Sequence, residues 1–282
     1  MVNVLSVVFP LYIYPTSCSP SASSPTCAWY PFFQAVQANP PVMFNFVINP
    51  NTGPGDLYTY PNTDWINVIS YARSFNNTRL IGYVDSDPVK IQPSAYKPQI
   101  QTYKNWYNYT AKDIHMDGIF VDDMAYSSST DSYYTTFANN IKSVWSTAPV
   151  ANAPAPYIMM NPGSPISCSF YSNVNSLVTF EDYYSNLHNA PFLQSPYTNC
   201  PRYKQTIIIH DFNGTAVDQQ QVCDDMGESY RVGNLFITDA IENDKLNINP
   251  YDKVPGMLQQ FAGSVKATDS WITAHPQWYP DI

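Results

Sequence analysis

The chain has 282 residues, of which 12% are charged, and its formal net charge at pH 7 is −9. This acidic balance argues against nucleic acid or an anionic membrane surface as a partner. Charged residues form about 25% of an average soluble domain. Their scarcity here, together with 23 Tyr and 25 Pro, is typical of a secreted protein rather than a cytosolic one. No apolar run is long enough to span a membrane, so we expect no membrane insertion.

Five cysteines and three glycosylation sequons also favour export. Two bridges, Cys18–Cys27 and Cys168–Cys200, would leave Cys223 alone, although spacing does not fix the pairing. The sequons begin at Asn76, Asn108 and Asn213. No CxxC or His/Cys spacing indicates zinc, and we expect neither a metal nor a cofactor.

The opening apolar run, residues 4–9, could pass for the core of a signal peptide. It lacks a basic flank and a small-residue cleavage site, and it continues directly into Pro-Leu-Tyr-Ile-Tyr-Pro. We interpret it as the first strand of a mature chain from which a signal peptide has been removed. The expected protein is secreted, extracellular or bound to a cell wall, and acts as a monomer.

Apolar strand candidates recur along the chain, and a helix-like segment usually follows each one. The first four strands are predicted at 4–9, 42–48, 79–84 and 118–121, with helices at 29–37, 63–75, 94–109 and 131–145. The last four are predicted at 157–160, 177–180, 205–209 and 234–238, with a loop around Cys168 and helices at 218–230 and 255–265.

This alternation predicts an α/β fold, a single (β/α)8 TIM barrel that forms one catalytic domain over residues 1–282. A doubly wound open sheet is the main rival. Such a sheet usually carries a Gly-rich phosphate turn, whereas this chain has 10 Gly and no GxGxxG.

Polar residues follow the predicted strands, at the ends that line one mouth of a barrel. The fourth strand ends in Asp122 and Asp123, and the sixth ends in Glu181 and Asp182. Two carboxylates facing each other across a cleft are the basic equipment for cleaving a glycosidic bond. Rings, amides and further acids at the same mouth could hold a sugar. These candidates are Tyr12, Tyr14, Asn49, Tyr83, Asp85, Asn161, Tyr183, Tyr184, His210, Asp211 and Asp239.

Each candidate also has a purely structural interpretation. An Asp after a strand often starts a turn or caps the next helix, and a histidine such as His210 is more often a hydrogen-bonded structural residue than a catalyst. Asp117 precedes its strand, which favours a structural role. The Asp122–Asp123 doublet is harder to explain in this way, because adjacent like charges at a buried strand end are costly unless something uses or pairs them.

The chain resembles the spherulin-4-like family in a series of motifs that keep the family's order. The motifs are Pro10-Leu11-Tyr12-Ile13-Tyr14-Pro15, the segment 49–55, Gly82-Tyr83-Val84, Asp117-Gly118-Ile119-Phe120, Asn161-Pro162-Gly163, Phe180-Glu181-Asp182-Tyr183 and Ile208-Ile209-His210. The resemblance implies a (β/α)8 barrel in a secreted or membrane-tethered fungal glycoside hydrolase. The implied activity is endo-cleavage of α-1,4-linked N-acetylgalactosamine in galactosaminogalactan, a cationic polysaccharide of fungal walls and biofilms. The resemblance also implies that Asp122, Asp123 and Glu181 are the catalytic acids.

The chain departs from the family at two motifs. The family typically shows Asp-Glu where this chain has Asp122-Asp123, so the second acid is one methylene shorter. The third-strand motif continues into Asp85-Ser86-Asp87-Pro88, where members usually carry small hydroxyl residues and a Tyr. A changed sugar subsite is expected there.

We expect Asp122 to act as nucleophile and Glu181 as proton donor, because the apolar setting after Phe180 would raise the pKa of Glu181. Asp123 would orient a hydroxyl or amide, or modulate its neighbour. Two alternatives stay open. One is a non-catalytic carbohydrate-binding or wall protein on a degenerate barrel, and the other is a glycosidase for a different fungal polysaccharide.

Overall fold

The computed structural model describes residues 5–19, 21–86, 90–147 and 154–276, so the first residue of the first predicted strand, Val4, lies outside the described residues. Eight parallel strands follow each other around a closed barrel in chain order, which confirms the predicted TIM barrel. The strands are β1 (Ser6–Leu11), β2 (Phe44–Ile48), β3 (Thr78–Asp85), β4 (Gly118–Asp122), β5 (Tyr157–Met160), β6 (Ser176–Tyr183), β7 (Gln205–His210) and β8 (Asn234–Ile237).

Six α-helices accompany the strands in the described parts of the chain. They are α1 (Tyr30–Ala38), α2 (Thr63–Arg73), α3 (Pro93–Asn105), α4 (Asp131–Trp145), α5 (Ala216–Asp224) and α6 (Leu258–Ala274). A π-helical turn, Asp225–Ser229, continues α5. Short 3-10 turns replace α-helices between β5 and β7, where the sequence is rich in Pro, Ser and Asn. The last helix runs well past its predicted end at residue 265.

The amino-terminal end of the barrel is filled by a buried polar network. Asn45 on β2 donates from Nδ2 to Oδ1 of Asn234 on β8 at 2.9 Å. Asn234 donates in turn to the Thr206 hydroxyl at 3.0 Å, and Arg79 donates to Asn45 Oδ1 at 2.8 Å. Because each of these contacts satisfies a buried polar group, the network closes this end of the barrel without orphaned amides.

Asp117 has the structural role that its position before β4 favoured. Its Oδ2 accepts hydrogen bonds from Arg73 Nη1 at 2.6 Å and from the Leu80 N–H at 2.7 Å. The next residue, Gly118, lies so close to β5 that an added Cβ would sit 1.8 Å from the carbonyl oxygen of Tyr157. These contacts fix the start of β4, which carries Asp122 at its other end.

Two disulfides tie down the loops. Cys18 is bonded to Cys27, and Cys168 to Cys200, which are the two pairings considered from the sequence. Cys223 is buried in α5 and forms no disulfide. The three sequon asparagines, Asn76, Asn108 and Asn213, are exposed and thus accessible for glycosylation.

Candidate active site

A cavity of about 390 Å³ opens at the carboxyl ends of the strands. This is the end of a TIM barrel at which active sites are found. The cavity is lined by Tyr12, Asp122, Asp123, Met124, Ala125, Asn161, Pro162, Gly163, Glu181, Glu242, Asn249 and Tyr251.

One side-chain amide joins the two carboxyl groups at the centre of this cavity. Asn161 Nδ2 donates to Asp122 Oδ1 at 2.8 Å and to Glu181 Oε2 at 2.5 Å. The two carboxyl oxygens therefore cannot be farther apart than the sum of these distances, about 5.3 Å. Asp122, at the end of β4, and Glu181, in the last part of β6, thus converge on one opening.

Asp122 is surrounded by hydrogen-bond donors. Tyr12 donates its hydroxyl to Asp122 Oδ2 at 3.1 Å, and Tyr83 and the backbone N–H of Asp123 also donate to this carboxylate. Burial raises the pKa of Asp122, whereas the donors, led by Asn161, lower it and leave a net upward shift. These donors stabilise the ionised form of a carboxyl that is otherwise poorly hydrated.

Glu181 has fewer donors and a like charge beside it. Burial raises the pKa of its carboxyl, and the negative charge of Asp122 raises it further. The Tyr251 hydroxyl, which donates to Glu181 Oε1 at 2.5 Å, and Asn161 oppose this shift only in part. Glu181 therefore keeps its proton to a higher pH than an ordinary glutamic acid, as a general acid requires.

Glu181 lies within β6 rather than after it. The predicted strand stopped at Phe180, but the pairing of β6 with β7 shifts register between Val178 and Phe180 and then continues to Tyr183. Such an irregularity re-aims the side chains that follow it. Hydrophobic patterning gives no signal for the continued strand, because Phe180 is followed directly by Glu181 and Asp182.

Three tyrosines form an aromatic wall beside the acids. The ring of Tyr12 meets those of Tyr83 and Tyr251 edge-on, with centroids 5.6 and 5.7 Å apart. Burial raises the pKa of each phenol above its usual value of 10.0. All three phenols therefore keep their protons, and can donate hydrogen bonds to the carboxylates, to a higher pH than an ordinary tyrosine.

Asp123 differs from its neighbour in both exposure and backbone. Its φ is 57°, a left-handed conformation that is uncommon outside glycine. Ser86 holds this turn by donating its hydroxyl to the Asp123 carbonyl oxygen at 2.8 Å. Asp122 is partly buried, whereas Asp123 is exposed on the cavity rim. The doublet thus separates into one enclosed acid and one accessible to solvent.

His210, Tyr183 and Asp85 lie next to the cavity without lining it. His210 is 2% exposed, with Nδ1 2.8 Å from Asp211 Oδ2 and Nε2 3.5 Å from Glu242 Oε2. The Tyr183 ring packs against His210 with centroids 4.6 Å apart. Asp85 pairs in register with Asp122 across β3 and β4. His210 thus lies between Asp211 and Glu242, and its predicted contact with a substrate stays a prediction.

Four other sequence candidates lie elsewhere. Tyr14 donates its hydroxyl to Asp64 Oδ2 at 3.0 Å, at the start of α2. Asn49 and Asp239 accept backbone N–H groups in the loops that follow them, at 2.9 and 2.7 Å. Tyr184 lines a different cavity. Asn49 and Asp239 thus hold the turns that follow their strands, which is the structural alternative considered from the sequence.

Sequence reasoning missed three polar residues of the cavity wall, Glu242, Asn249 and Tyr251. All three come from the long connection between β8 and α6. No motif marks them, and Tyr251 is one of 23 tyrosines. The length of the connection was the available signal, since long loops in compact domains are often functional.

Among the described residues, no group of three or more His, Cys, Asp or Glu side chains is arranged to hold a metal ion. None of the helices in those residues is long and apolar enough to cross a bilayer.

Comparison with known structures finds the same fold in several proteins. Sph3 from Aspergillus clavatus, solved in complex with GalNAc, superposes with a TM-score of 0.75 at 24% identity, over 94% of this chain and 98% of that one. An endo-β-N-acetylglucosaminidase from Cordyceps militaris gives 0.53 at 10% identity, over 95% and 91%. A chitinase from Bacteroides thetaiotaomicron gives 0.52 at 11% identity, over 92% and 98%.

Sequence comparison is more specific than these structural matches. Spherulin-4 from Physarum polycephalum is 27% identical over 281 residues, covering 93% of this chain and 70% of the relative. The sequence profile of the Spherulation-specific family 4 matches residues 6–265, which span all eight strands and both candidate acids. The chain belongs to the Spherulation-specific family 4.

Proposed function

We propose that this chain is a glycoside hydrolase that cuts within a polysaccharide, with Asp122 as nucleophile and Glu181 as acid and base. The observation that carries the proposal is the single Asn161 nitrogen that contacts both carboxyl groups and keeps Asp122 Oδ1 and Glu181 Oε2 no more than about 5.3 Å apart. Retaining glycosidases hold their two carboxyls about 5–5.5 Å apart, whereas inverting enzymes need about 6.5–9.5 Å to admit a water. The proposed reaction therefore retains configuration.

The surroundings of the two acids support this division of roles. Asp122 accepts hydrogen bonds from Tyr12, Tyr83, Asn161 and the Asp123 backbone, and it can therefore stay ionised while buried. Glu181 accepts hydrogen bonds from Tyr251 and Asn161 and lies beside the negative charge of Asp122, and we assign the proton to it although His210 opposes the rise in its pKa. Burial raises the pKa of both carboxyls, but the larger set of donors around Asp122 favours its ionised form, as expected of a nucleophile paired with an acid.

The proposed chemistry has two steps. In the first, an Asp122 oxygen bonds to the anomeric carbon as the glycosidic bond breaks, and the Glu181 proton passes to the leaving oxygen. In the second, Glu181 takes a proton from water while the water oxygen displaces Asp122 from the anomeric carbon. An N-acetyl group on an α-linked sugar lies on the same face as the leaving group, which disfavours attack by the substrate's own amide.

We propose α-1,4-linked N-acetylgalactosamine or galactosamine, as in galactosaminogalactan, as the substrate. Family membership supports this choice, and Sph3 was solved with GalNAc bound. Four of the described residues that line the cavity are acidic, and none of those residues is Lys or Arg. Such a lining favours a neutral or cationic sugar over an anionic one. Asp123, on the rim, would orient a sugar hydroxyl or the acetamido group.

We further propose that the protein is a secreted monomer that acts on fungal wall or biofilm polysaccharide. Two disulfides fit an oxidising compartment. The exposure of Asn76, Asn108 and Asn213 agrees with glycosylation during export.

The test is to incubate the protein with galactosaminogalactan and analyse released oligosaccharides by mass spectrometry. The wild type should shorten the polymer, and Glu181→Gln and Asp122→Asn should lower product release by at least about 1,000-fold, or roughly 4 kcal/mol of transition-state stabilisation. Asp113→Asn, the same change as Asp122→Asn at an exposed carboxyl in the segment that precedes β4, is the matched control and should cleave normally.

If the wild type retains the polymer without cutting it, the protein is instead a carbohydrate-binding protein on a degenerate barrel. The sequence feature that favours this alternative is Asp123, where the family typically has Glu. A panel of other fungal polysaccharides in the same assay distinguishes a hydrolase of different specificity. Near-normal turnover by folded Glu181→Gln would remove Glu181 from the mechanism.

A further inference from the structure

A second cavity, of about 430 Å³, lies beside the barrel mouth between the segment that follows β6 and helix α5. None of the described residues that line it lines the catalytic cavity. The two cavities are nevertheless close in the chain. Tyr184 forms part of the second cavity, and the preceding residue, Tyr183, packs against His210 beside the first.

The second cavity combines an apolar floor with aromatic walls. Leu187, Val222 and Met226 are buried at 8%, 5% and 2% exposure, and the partly exposed rings of Tyr184 and Tyr230 stand beside them. A pyranose ring has an apolar face that packs against such rings, and the methyl of an acetamido group suits an apolar floor.

Its rim carries acceptors rather than catalytic acids. Asp218 Oδ2 accepts the Thr215 N–H and hydroxyl, each at 2.7 Å, and these bonds lower the pKa of Asp218. Asp218 therefore remains an ionised acceptor and does not donate protons. Asp225 Oδ1 accepts from Gln221 at 3.0 Å. The described lining residues include two acids, Asp218 and Asp225, one histidine, His188, and no Lys or Arg, which favours a neutral or amino sugar over a phosphate or uronate.

One wall of the cavity is a deviation from regular helix. Asp225 and Met226 lie in the π-helical turn, which is closed by the Tyr230 N–H bonding to the Asp225 carbonyl oxygen at 2.8 Å. Gly227 lets this turn pack on α6, because a Cβ there would sit 2.6 Å from Cγ2 of Thr268. Single π-helical turns occur frequently at functional sites.

We propose that this second cavity is a non-catalytic carbohydrate site that holds one or two sugar units of the polysaccharide cut at Asp122 and Glu181. Its volume of about 430 Å³ lies within the range of about 300–1,000 Å³ typical of small-ligand sites. The inference rests on the proposed function for the identity of the polymer. A polymer held at both sites is bound more tightly than at either alone, because the second contact is intramolecular.

The test compares polymer binding by two proteins that cannot cut, Glu181→Gln and Glu181→Gln with Ser185→Arg. Ser185 is an exposed rim residue, and an arginine there fills the opening and repels amino sugars. N-glycans are removed first, because Asn213 lies on the same rim. By affinity electrophoresis in α-1,4-linked N-acetylgalactosamine polymer, we expect Ser185→Arg to weaken binding at least about tenfold. Ser143→Arg, at an exposed position of α4, is the matched control and should leave polymer binding unchanged.

A second variant, Tyr184→Ala, removes one ring and should weaken binding about fivefold, roughly 1 kcal/mol, in the range of a lost sugar-stacking contact. Circular dichroism checks that each variant is folded. Unchanged polymer affinity in both folded variants would overturn the inference. Failure of the proposed function would give a different result. A wild type that never shortens the polymer refutes hydrolysis, whereas the binding comparison still tests whether the second cavity holds the polymer.

Discussion

Tyr251→Phe removes one hydrogen-bond donor from the surroundings of Glu181, the proposed acid/base, and changes little else. The Tyr251 hydroxyl donates to Glu181 Oε1 at 2.5 Å, and this hydrogen bond lowers the pKa of the carboxyl by stabilising its ionised form. Without the hydroxyl, the proton on Glu181 is lost at higher pH. Phenylalanine keeps the ring that packs edge-on against Tyr12, so the aromatic wall should persist.

The size of the effect follows from the strength of the lost bond. A hydrogen bond to a charged group contributes about 1.5–3 kcal/mol. One pKa unit corresponds to about 1.4 kcal/mol, so the pKa of the pair that includes Glu181 should rise by about 1–2 units. Glycosidic cleavage needs Glu181 protonated. The alkaline limb of the pH profile of kcat/KM therefore moves upward, and activity extends to higher pH.

The assay is kcat/KM for oligosaccharide release between pH 4 and 9 (a range of about 5 units, wide enough to contain the expected shift). Tyr203→Phe, which removes a hydroxyl from a ring that is 50% exposed, is the matched control and should leave the profile unchanged. An alkaline limb that stays in place, or moves downward, in folded Tyr251→Phe would refute the assignment of Glu181 as the acid.

Three further substitutions test the site and its scaffold. Asn161→Ala removes the amide that contacts both acids and should lower kcat/KM by about 100-fold, with little change in melting temperature. Asp117→Asn should lower the free energy of unfolding at pH 7 by about 1–3 kcal/mol. Burial raises the pKa of Asp117, but its partners, His115 and Arg73 foremost, outweigh burial and hold the pKa below 3.8. The loss in free energy of unfolding relative to wild type, measured by urea titration, should therefore have its full size above that pH. It should disappear as the pH falls through the lowered pKa. Gly118→Ala should prevent folding, because its Cβ would lie 1.8 Å from a backbone oxygen. Gly263→Ala in α6 is the control, because a Cβ there has no atom within 4 Å. In thermal melts this control should be neutral or stabilising by up to about 1 kcal/mol.

The regular elements could be predicted wherever one buried face sets the pattern. Helix α4 begins and ends where its periodicity predicts, because Tyr134, Phe137, Ile141 and Trp145 are buried along one side. The connections after β5 and β6 could not be assigned in this way. Their 3-10 turns bury few residues at a regular spacing.

The candidate acids could be located because a barrel brings the carboxyl ends of its strands to one mouth. Asp122 and Asn161 follow directly from that rule, since each stands at the end of its strand. The rule does not separate site residues from caps, and Asn49 and Asp239 accept backbone N–H groups instead. Tyr251 reaches the cavity from a loop that starts beyond β8, and no local pattern encodes that return.

The most direct test of the account is the configuration of the first product formed from an α-linked substrate, followed by proton NMR before the anomers equilibrate. Because Asp122 Oδ1 and Glu181 Oε2 both accept from Asn161 Nδ2, they lie within about 5.3 Å of each other, less than the roughly 6.5 Å that an inverting enzyme needs to admit a water. The α-anomer should therefore appear first. Initial release of the β-anomer would contradict the assignment of Asp122 and Glu181 as a nucleophile and acid/base pair.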